Sequence, residues 1–295
     1  MKSITKSRIF FAIAMLIFGT IAIFVRNINV SSGELALYRA ILAAIIIGIF
    51  LLITKQKFNF KESKKDLILI IISGMAMGFN WVLLFEAYKY TTISIATLTY
   101  YFAPIIVTIV SPFIFKEKLT IIQIICFIAS TVGIILITDF TNKDTTNNSL
   151  LGILFGLSAA IFYASVMILN KCTKSIAGVQ RTFLQFISAI VVLLPYVLLT
   201  TGINLLSMNT LSWINLLIVG IIHTGITYCL YFNALKELPG QEAAILSYID
   251  PIIAIIISFT IFSETMTIVQ IIGGLLIIVF TIINEININI KEKKE

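Results

Sequence analysis

Residues 101–120 read YFAPIIVTIVSPFIFKEKLT and residues 248–267 read YIDPIIAIIISFTIFSETMT, so the chain carries nearly the same stretch twice, 147 positions apart. Over residues 100–125 and 247–272 the two copies are identical at 14 of 26 positions, and half of these matches are isoleucine. The other matches are Tyr, Pro, Ser, Phe, Glu, Thr and Gln, all at one offset. A register held over this length indicates an internal duplication.

The composition is that of a protein in a lipid bilayer. Apolar residues make up 59% of the 295 residues, charged residues 12%, and the mean hydropathy is +1.05, which is well above the range of soluble domains. Apolar stretches of about 20 residues, enough to cross ~30 Å of hydrocarbon as a helix, recur along the chain. The sequence therefore predicts an all-α integral membrane protein with ten transmembrane helices. The predicted spans are residues 8–28, 33–54, 67–87, 93–115, 120–138, 151–170, 182–201, 213–235, 241–262 and 268–288.

Five of the predicted spans fall in residues 1–140 and five in residues 141–295. Because five is odd, the second copy enters the membrane from the opposite side, so we expect two inverted five-helix repeats. Such halves can exchange conformations and open one central site to either face, as in many secondary transporters. The duplication therefore favours a transport function.

Positive charge is concentrated in alternate loops. If both termini are cytoplasmic, 17 of the 21 Lys and Arg residues lie in cytoplasmic segments, as the positive-inside rule requires. This predicts a multi-pass protein of the cytoplasmic membrane, and it explains the net charge of +7 without a nucleic-acid partner. The first span continues to about Val25 with no small-residue cleavage site, so we expect a retained helix rather than a signal peptide. Three cysteines without paired spacing indicate neither a disulfide framework nor a metal site, and no cofactor is expected.

Both copies resemble the EamA domain of the drug/metabolite transporter superfamily. The resemblance lies in FEAYKYTTISIATLTYYFAPIIVTIVSPFIFKEKLTIIQII (residues 85–125) and YFNALKELPGQEAAILSYIDPIIAIIISFTIFSETMTIVQIIGG (residues 231–274). It implies a permease with two EamA repeats that exports amino acids or other small metabolites. The glycine that usually follows the Gln by three residues is present as Gly273, but its counterpart is Cys126.

Asp250 is the main chemical difference between the copies, because its counterpart is Ala103. It lies near the middle of its predicted span, where a carboxylate costs several kcal/mol unless it faces water, a partner or a ligand. We interpret Asp250 as a ligand for a substrate amine or as a proton carrier; a carboxyl group bonded to a neighbouring helix is the alternative. His223 lies at a similar depth. It is either a packing residue or, if it faces Asp250, half of a proton-sensitive couple.

Arg39 and Glu86 are the other costly charges in the predicted spans. Arg39 either extends to the headgroups or faces inward, where it would bind a substrate carboxylate or Glu86. Glu86 has Lys89 nearby, so an interfacial ion pair is its alternative. Aromatic and amide residues cluster in the third, fourth, eighth and ninth spans. They either belong to the interfacial belt and the packing or give a ligand an apolar face with polar groups. The candidate cavity-lining residues are Asn80, Trp81, Tyr101 and Tyr248.

Two further patterns repeat between the copies. Pro104 and Pro251 lie near the middle of their spans, where a proline bends the helix, either to shape a cavity or as an ordinary kink. Each copy then ends with an acid followed by Thr-x-x-Gln, which predicts a capping box on the next helix. The acid would precede the positive helix end, and gating contacts are its alternative role. These residues are Glu117, Thr120 and Gln123 in the first copy and Glu264, Thr267 and Gln270 in the second.

These patterns favour a secondary transporter over two rival classes. A membrane-embedded enzyme would usually show several His and acidic residues together or a phosphate-binding loop, and a channel commonly needs an oligomeric pore ring. The resemblance implies amino acids or related metabolites as substrates, moved by alternating access, and proton coupling is a hypothesis that rests on Asp250 and His223. A permease for organic cations is the main alternative, because Asp250 and tyrosines suffice to bind an amine. The expected partners are a small solute and the bilayer; a homodimer is compatible with the sequence but not indicated by it.

Overall fold

The computed structural model describes residues 2–55, 64–116, 119–138, 143–173, 175–176 and 178–292. Nearly all of these residues are helical and none of them forms a strand, which confirms the predicted all-α class for this part of the chain. The helices are α1 (Lys2–Gly19), α2 (Ile21–Val25), α3 (Ser32–Ile53), α4 (Lys64–Tyr90), α5 (Ile93–Tyr100), α6 (Ala103–Phe115), α7 (Ile121–Ile137), α8 (Lys143–Cys172), α9 (Gly178–Thr200), a 3-10 turn (Leu205–Ser207), α10 (Thr210–Leu217), a π-helical segment (Ile218–Ile226), α11 (Thr227–Leu235), α12 (Gly240–Ser247), α13 (Ile249–Thr260) and α14 (Ile268–Glu292).

Eight helical stretches of the described chain are long and apolar enough to cross a membrane. Two shorter apolar helices, Ile121–Ile137 and Ile245–Thr260, lie where the fifth and ninth spans were predicted. The chain is therefore a multi-pass membrane protein. The eight long stretches are Ile4–Val25, Ser32–Ile53, Lys64–Tyr90, Ile93–Phe115, Ser149–Cys172, Gly178–Thr200, Thr210–Leu235 and Ile268–Asn287.

Helices from the two copies pack against each other. In the first copy α3 contacts α9 and the π segment, α4 contacts α8 and α9, and α7 contacts α14. The helix α1 contacts α11 and α13 of the second copy. The largest buried apolar cluster likewise combines residues of both copies, such as Leu37, Phe85, Phe186 and Val219. The core therefore lies between the two copies.

Polar contacts mark two opposite ends of the α1–α2 stretch. Arg8 forms an ion pair with Glu242, close to the start of α12, and we call this side of the molecule the Arg8 end. Arg26, just after α2, forms an ion pair with Glu264, in the loop after α13, and we call that side the Arg26 end.

The duplication is visible in the backbone. Tyr101 and Tyr248 occupy equivalent positions, and each interrupts a helix, so that α5 is separated from α6 and α12 from α13. Lys116 and Ser263 are also equivalent, and both adopt left-handed backbone, with φ of +57° and +52°. Local structure as well as sequence is therefore repeated.

The two interruptions lie three residues before the prolines at which a bend was expected. Pro104 and Pro251 fall in the first turn of α6 and α13, where the missing N–H interrupts no intrahelical bond. Neither proline can donate to the carbonyl four residues earlier, which belongs to Tyr100 or Ser247. Each copy thus has two short helices in place of one kinked helix.

The Thr-x-x-Gln patterns form reciprocal bonds at the starts of α7 and α14. The Thr120 hydroxyl accepts from the Gln123 N–H at 3.2 Å, and the Gln123 amide oxygen accepts from the Thr120 N–H at 2.8 Å. Thr267 and Gln270 form the same two bonds, at 3.2 and 2.9 Å. Glu117 lies outside the described residues.

A close contact between α7 and α14 gives a stability prediction. A Cβ on Gly133 would lie 2.7 Å from the carbonyl oxygen of Gly273. We therefore expect Gly133→Ala to destabilise the protein by about 1–3 kcal/mol, measured as thermal unfolding in detergent. Gly274→Ala is the matched control, because its Cβ would meet only the end of the flexible Leu98 side chain. Equal unfolding temperatures for the two variants would contradict this contact.

Candidate functional site

Three interrupted helices and the π segment meet in the core. The first interruption is Thr20, between α1 and α2, whose hydroxyl lies 2.9 Å from His223 in the π segment. The other two are Tyr101 and Tyr248, whose rings are 6.1 Å apart. Interrupted helices inside a membrane protein leave backbone groups that must be satisfied by protein, water or a ligand, and they commonly border substrate sites.

Asp250 lies in the first turn of α13, directly after the Tyr248 interruption. The Tyr101 hydroxyl, from the other copy, donates to the Asp250 carboxylate at 2.6 Å. The positive end of the α13 dipole also favours a negative charge in this turn. Gly19 lets α1 approach, since a Cβ there would lie 2.7 Å from the Asp250 carbonyl oxygen. Elements of both copies therefore position the acid.

Tyrosines surround Asp250. Tyr100 stacks on Tyr163 with ring centroids 5.0 Å apart, and it contacts Tyr101 at 5.9 Å. Asp250 lies within electrostatic range of five tyrosines, namely Tyr88, Tyr100, Tyr101, Tyr163 and Tyr228. We call the following seven residues the tyrosine cluster: Tyr88, Tyr100, Tyr101, Tyr163, Tyr228, Tyr231 and Tyr248. The cluster offers hydroxyl groups and aromatic faces beside one carboxylate.

Arg39 is buried in the core, with only 4% of its surface exposed, so it does not extend to the headgroups. Its guanidinium packs over the Trp81 ring at 4.4 Å, and its Nε donates to the Thr224 hydroxyl at 3.0 Å. No carboxylate of the described residues lies within ion-pair distance of it. Tyr228 is within electrostatic range of both Arg39 and Asp250, so both charges border the tyrosine cluster.

The π segment explains how Thr224 reaches Arg39. The Thr224 hydroxyl donates to the carbonyl of Val219 at 2.8 Å, and the Thr227 hydroxyl donates to that of Ile222 at 2.7 Å, each five residues earlier. This wider spacing is characteristic of π-bulges, which are frequent at functional sites. The sequence analysis missed Thr224, and its place beside His223 in an apolar span was the available signal.

His223 has partners of its own. Its Nε2 lies 2.9 Å from the Thr20 hydroxyl and its Nδ1 lies 3.3 Å from the Ile218 carbonyl oxygen. Its ring also packs on Phe24 of α2 at 4.8 Å. The structure therefore joins His223 to the first interruption, whereas Asp250 is bonded to Tyr101.

The other residues predicted from the sequence to line the site lie at different distances from Arg39 and Asp250. Trp81 is buried against Arg39. Asn80 is also buried, and its side-chain amide donates to the Ala159 carbonyl at 2.7 Å, which ties α4 to α8. Glu86 forms a 3.1 Å ion pair with Lys89 on a more exposed surface. The described residues contain no group of three or more His, Cys, Asp or Glu that could hold a metal ion.

A second polar centre at the Arg26 end was not foreseen. Besides its ion pair with Glu264, Arg26 donates to the carbonyls of Tyr88 at 3.1 Å and Thr91 at 3.0 Å. Glu264 also accepts from the Ile93 N–H, the first residue of α5, at 2.8 Å. We call these five residues the Arg26 cluster. It connects the end of α2, the end of α4, the start of α5 and the loop after α13.

The sequence resembles a family of membrane transporters. A family model described as "EamA-like transporter family" matches residues 5–139 and 150–285, once in each copy of the duplication. The expectation from the two quoted stretches is therefore confirmed.

Several relatives cover most of the chain. The "Uncharacterized transporter YxxF" of Bacillus subtilis (strain 168) is 33% identical over 272 residues, or 89% of this chain and 86% of the relative. An "Uncharacterized transporter" of Archaeoglobus fulgidus is 24% identical over 271 residues, 90% of this chain and 91% of the relative. The "Uncharacterized inner membrane transporter YicL" of Salmonella typhimurium is 22% identical over 261 residues, or 85% of this chain and 84% of the relative.

The fold also occurs among solved structures. One, titled "Crystal structure of protein", has a TM-score of 0.64 at 14% sequence identity and covers 95% of this chain and 97% of its own. At this identity the likeness concerns the fold alone.

Proposed function

We propose, from the premise that the chain belongs to the EamA-like transporter family, that it is a secondary transporter of amino acids or related small metabolites in the cytoplasmic membrane. One observation carries the substrate class. Arg39 and Asp250 are opposite charges in the core, neither has a charged partner among the described residues, and both border the tyrosine cluster. A solute with one positive and one negative group would supply both partners.

The chemistry of Arg39 and of Asp250 indicates which charged group of the solute each would bind. The guanidinium of Arg39 can bind a carboxylate through two parallel hydrogen bonds, and stacking on Trp81 fixes its plane. Asp250 and the aromatic faces of the tyrosine cluster suit an ammonium group. Because a charge in the membrane interior is costly unless it is compensated, a zwitterion fits better than a singly charged solute.

Alternating access would follow from two inverted repeats of five spans. The packing supports this arrangement, because several contacts have an equivalent in which the two copies exchange places. The contact of α4 with α8 corresponds to that of α11 with α1, and the contact of α4 with α9 corresponds to that of the π segment with α3. A rocking motion could then expose the tyrosine cluster to either side.

The Arg26 cluster closes one side of the path in this account. With both termini cytoplasmic, as the charge distribution suggests, the Arg26 end faces outward and the structure is closed to the outside. Opening outward would require Arg26 to separate from Glu264 and from the carbonyls of α4.

Breaking this cluster should favour the outward-open state. We expect Glu264→Gln to raise the labelling rate of Tyr100→Cys by an impermeant maleimide added from outside about fivefold or more, given the energy of a partly buried ion pair. The measurement uses a background in which Cys126, Cys172 and Cys229 are replaced by alanine. Glu86→Gln is the matched control, since it removes a more exposed ion pair at the same end. Unchanged labelling in Glu264→Gln would contradict the gating role.

Proton coupling is proposed as exchange at Asp250. The carboxylate can hold either a proton or the ammonium of the solute, so a proton entering from outside would displace the solute, which would move outward. His223 is a second titratable group at the first helix interruption. The direction of transport is therefore proposed to be export.

Counterflow in liposomes tests the substrate class. The purified protein is reconstituted with an unlabelled solute inside, and uptake of the labelled solute is followed for a panel of amino acids, choline and polyamines. We expect exchange of one or more amino acids. Exchange of choline or polyamines alone would favour the second candidate, a permease for organic cations, which Asp250 and the tyrosine cluster would also suit.

A further inference from the structure

A second arginine without an ion-pair partner among the described residues lies partly buried toward the Arg8 end. Arg181, near the start of α9, donates through one terminal nitrogen to the Asn170 carbonyl at 3.0 Å. Its Nε is buried and has no hydrogen-bond partner, and no carboxylate of the described residues lies within ion-pair distance. A buried donor without a partner destabilises the protein unless a ligand satisfies it.

The residues beside Arg181 are fixed by a polar network across three helices. The Gln185 side-chain amide donates to Ser73 at 2.7 Å and to the Asn170 side-chain oxygen at 2.8 Å. Gln185 follows Arg181 by four residues on α9 and therefore lies on the same helix face. Gly74 permits the close approach of α4, because a Cβ there would lie 2.7 Å from the Gln185 Cα. The guanidinium is thus held in place on a rigid surface.

Arg181 also lies within electrostatic range of the tyrosine cluster. Tyr231 is within this range of Arg181, of Tyr228 and of the acid Glu285 on α14. Tyr228 is in turn within this range of both Arg39 and Asp250. An arginine and an acid near one tyrosine therefore recur toward the Arg8 end, as they do at the centre.

We infer that Arg181 forms a second carboxylate-binding position, which holds the solute on the Arg8 side of the tyrosine cluster before the carboxylate passes to Arg39. The inference deepens the proposed function and rests on it. The carboxylate would accept from the buried Nε and from the neighbouring terminal nitrogen, which satisfies the unpartnered donor. Because the position lies only on the Arg8 side, its loss should weaken binding of solute presented from that side and leave binding from the other side unchanged.

The first test measures the local preference for anions and needs no substrate. In the cysteine-free background, Tyr231→Cys is labelled with an anionic and a cationic methanethiosulfonate reagent in phosphatidylcholine liposomes. We expect Arg181→Gln to lower the ratio of anionic to cationic rates about threefold or more, as removal of a nearby, partly screened charge predicts, and Arg181→Lys to preserve most of it. Lys171→Gln is the control, because it removes a cation at the same end that packs over Phe115.

An unchanged ratio in Arg181→Gln, or an equal fall in Lys171→Gln, would overturn the site. Loss of the wild-type anion preference when phosphatidylglycerol is added would also overturn it, because an anionic lipid headgroup would then be the occupant.

The second test measures sidedness with the amino acid that exchanges fastest in the counterflow panel. We expect Arg181→Gln to raise KM about tenfold for solute presented from the Arg8 end, consistent with loss of one charge-assisted contact, and to leave KM from the other side unchanged. An equal rise on both sides would indicate a merely structural role and overturn the inference. If wild-type protein exchanges no amino acid, the proposed function fails, whereas the reagent ratio still reports on the anion site.

Discussion

Asp250→Asn is expected to reduce amino-acid exchange by about 100-fold or more, while the purified protein keeps its elution volume and unfolding temperature. Asparagine has nearly the same shape and can still accept from the Tyr101 hydroxyl, which donates to Asp250 at 2.6 Å. It cannot carry a negative charge, so the solute ammonium would lose its partner inside the bilayer, a loss of several kcal/mol. Counterflow at saturating internal solute measures the effect.

Two further variants separate charge from geometry. Tyr101→Phe keeps the carboxylate and removes its hydrogen bond, so a smaller loss of about tenfold is expected. Glu242→Gln removes an acid that pairs with Arg8 near the surface, and it should exchange like wild type. Exchange in Asp250→Asn at a rate similar to wild type would show that the solute ammonium does not require this acid.

The same variant tests proton coupling. A pH-sensitive dye trapped in the liposomes should report protons that move opposite to net solute transport down a solute gradient in wild type, and no such movement in Asp250→Asn. Proton movement that persists in Asp250→Asn would remove Asp250 as the coupling group and leave His223 as the group to be tested.

Arg39→Gln is expected to abolish exchange of the zwitterion, again by about 100-fold or more, because a buried carboxylate would lose a bidentate charged partner. Transport of the corresponding amine without the carboxylate should be spared or improved. Arg39→Lys restores the charge but not the planar fork or the stacking on Trp81, so we expect partial activity. The measurement is counterflow of an amino acid and its decarboxylated analogue.

Arg8→Gln is the control for Arg39→Gln, since it also removes one arginine but from a surface ion pair. Equal losses for the amino acid and the amine in Arg39→Gln would contradict its role as the carboxylate partner. They would instead indicate that Arg39 stabilises the packing around Trp81.

The fold was largely accessible from the sequence because its signals are local or periodic. The length of the apolar stretches predicts the helices. The fixed offset between Tyr101 and Tyr248 predicts that the local backbone structure at one position recurs at the other. Thr120 with Gln123 forms a cap within one turn, so a four-residue pattern contains all of the required partners. The position of the interruption was less accessible, because a proline permits a break nearby without fixing its residue.

The site was only partly accessible, because its contacts join residues far apart in the chain. Asp250 stands out in sequence, since its counterpart is Ala103, but its bond to Tyr101 depends on how the copies pack. The depth of Arg39 left two orientations open, and only tertiary packing on Trp81 decides between them. Thr224 reaches Arg39 through a π segment that no simple residue pattern encodes.

Two long-range contacts were not predicted from the sequence, because a local pattern describes only one end of an interaction. Glu264 was expected to serve the following helix, whereas in the structure it binds Arg26 and the first N–H of α5. His223 was considered as a partner of Asp250 because their depths agree, but depth does not determine facing, and its bond is to Thr20. Both contacts join residues that are far apart in the sequence, so no local pattern predicts them.

One solute is proposed to bridge Arg39 and Asp250, and competition counterflow with matched analogues tests this bridge. The amino acid that exchanges fastest is measured against its decarboxylated amine and its deaminated acid, which keep the side chain and remove one charge each. We expect the amino acid to compete at least about 100-fold better than either analogue, because only the amino acid makes both charge-assisted contacts. Competition by the amine equal to that of the amino acid would contradict it and identify a permease for cations.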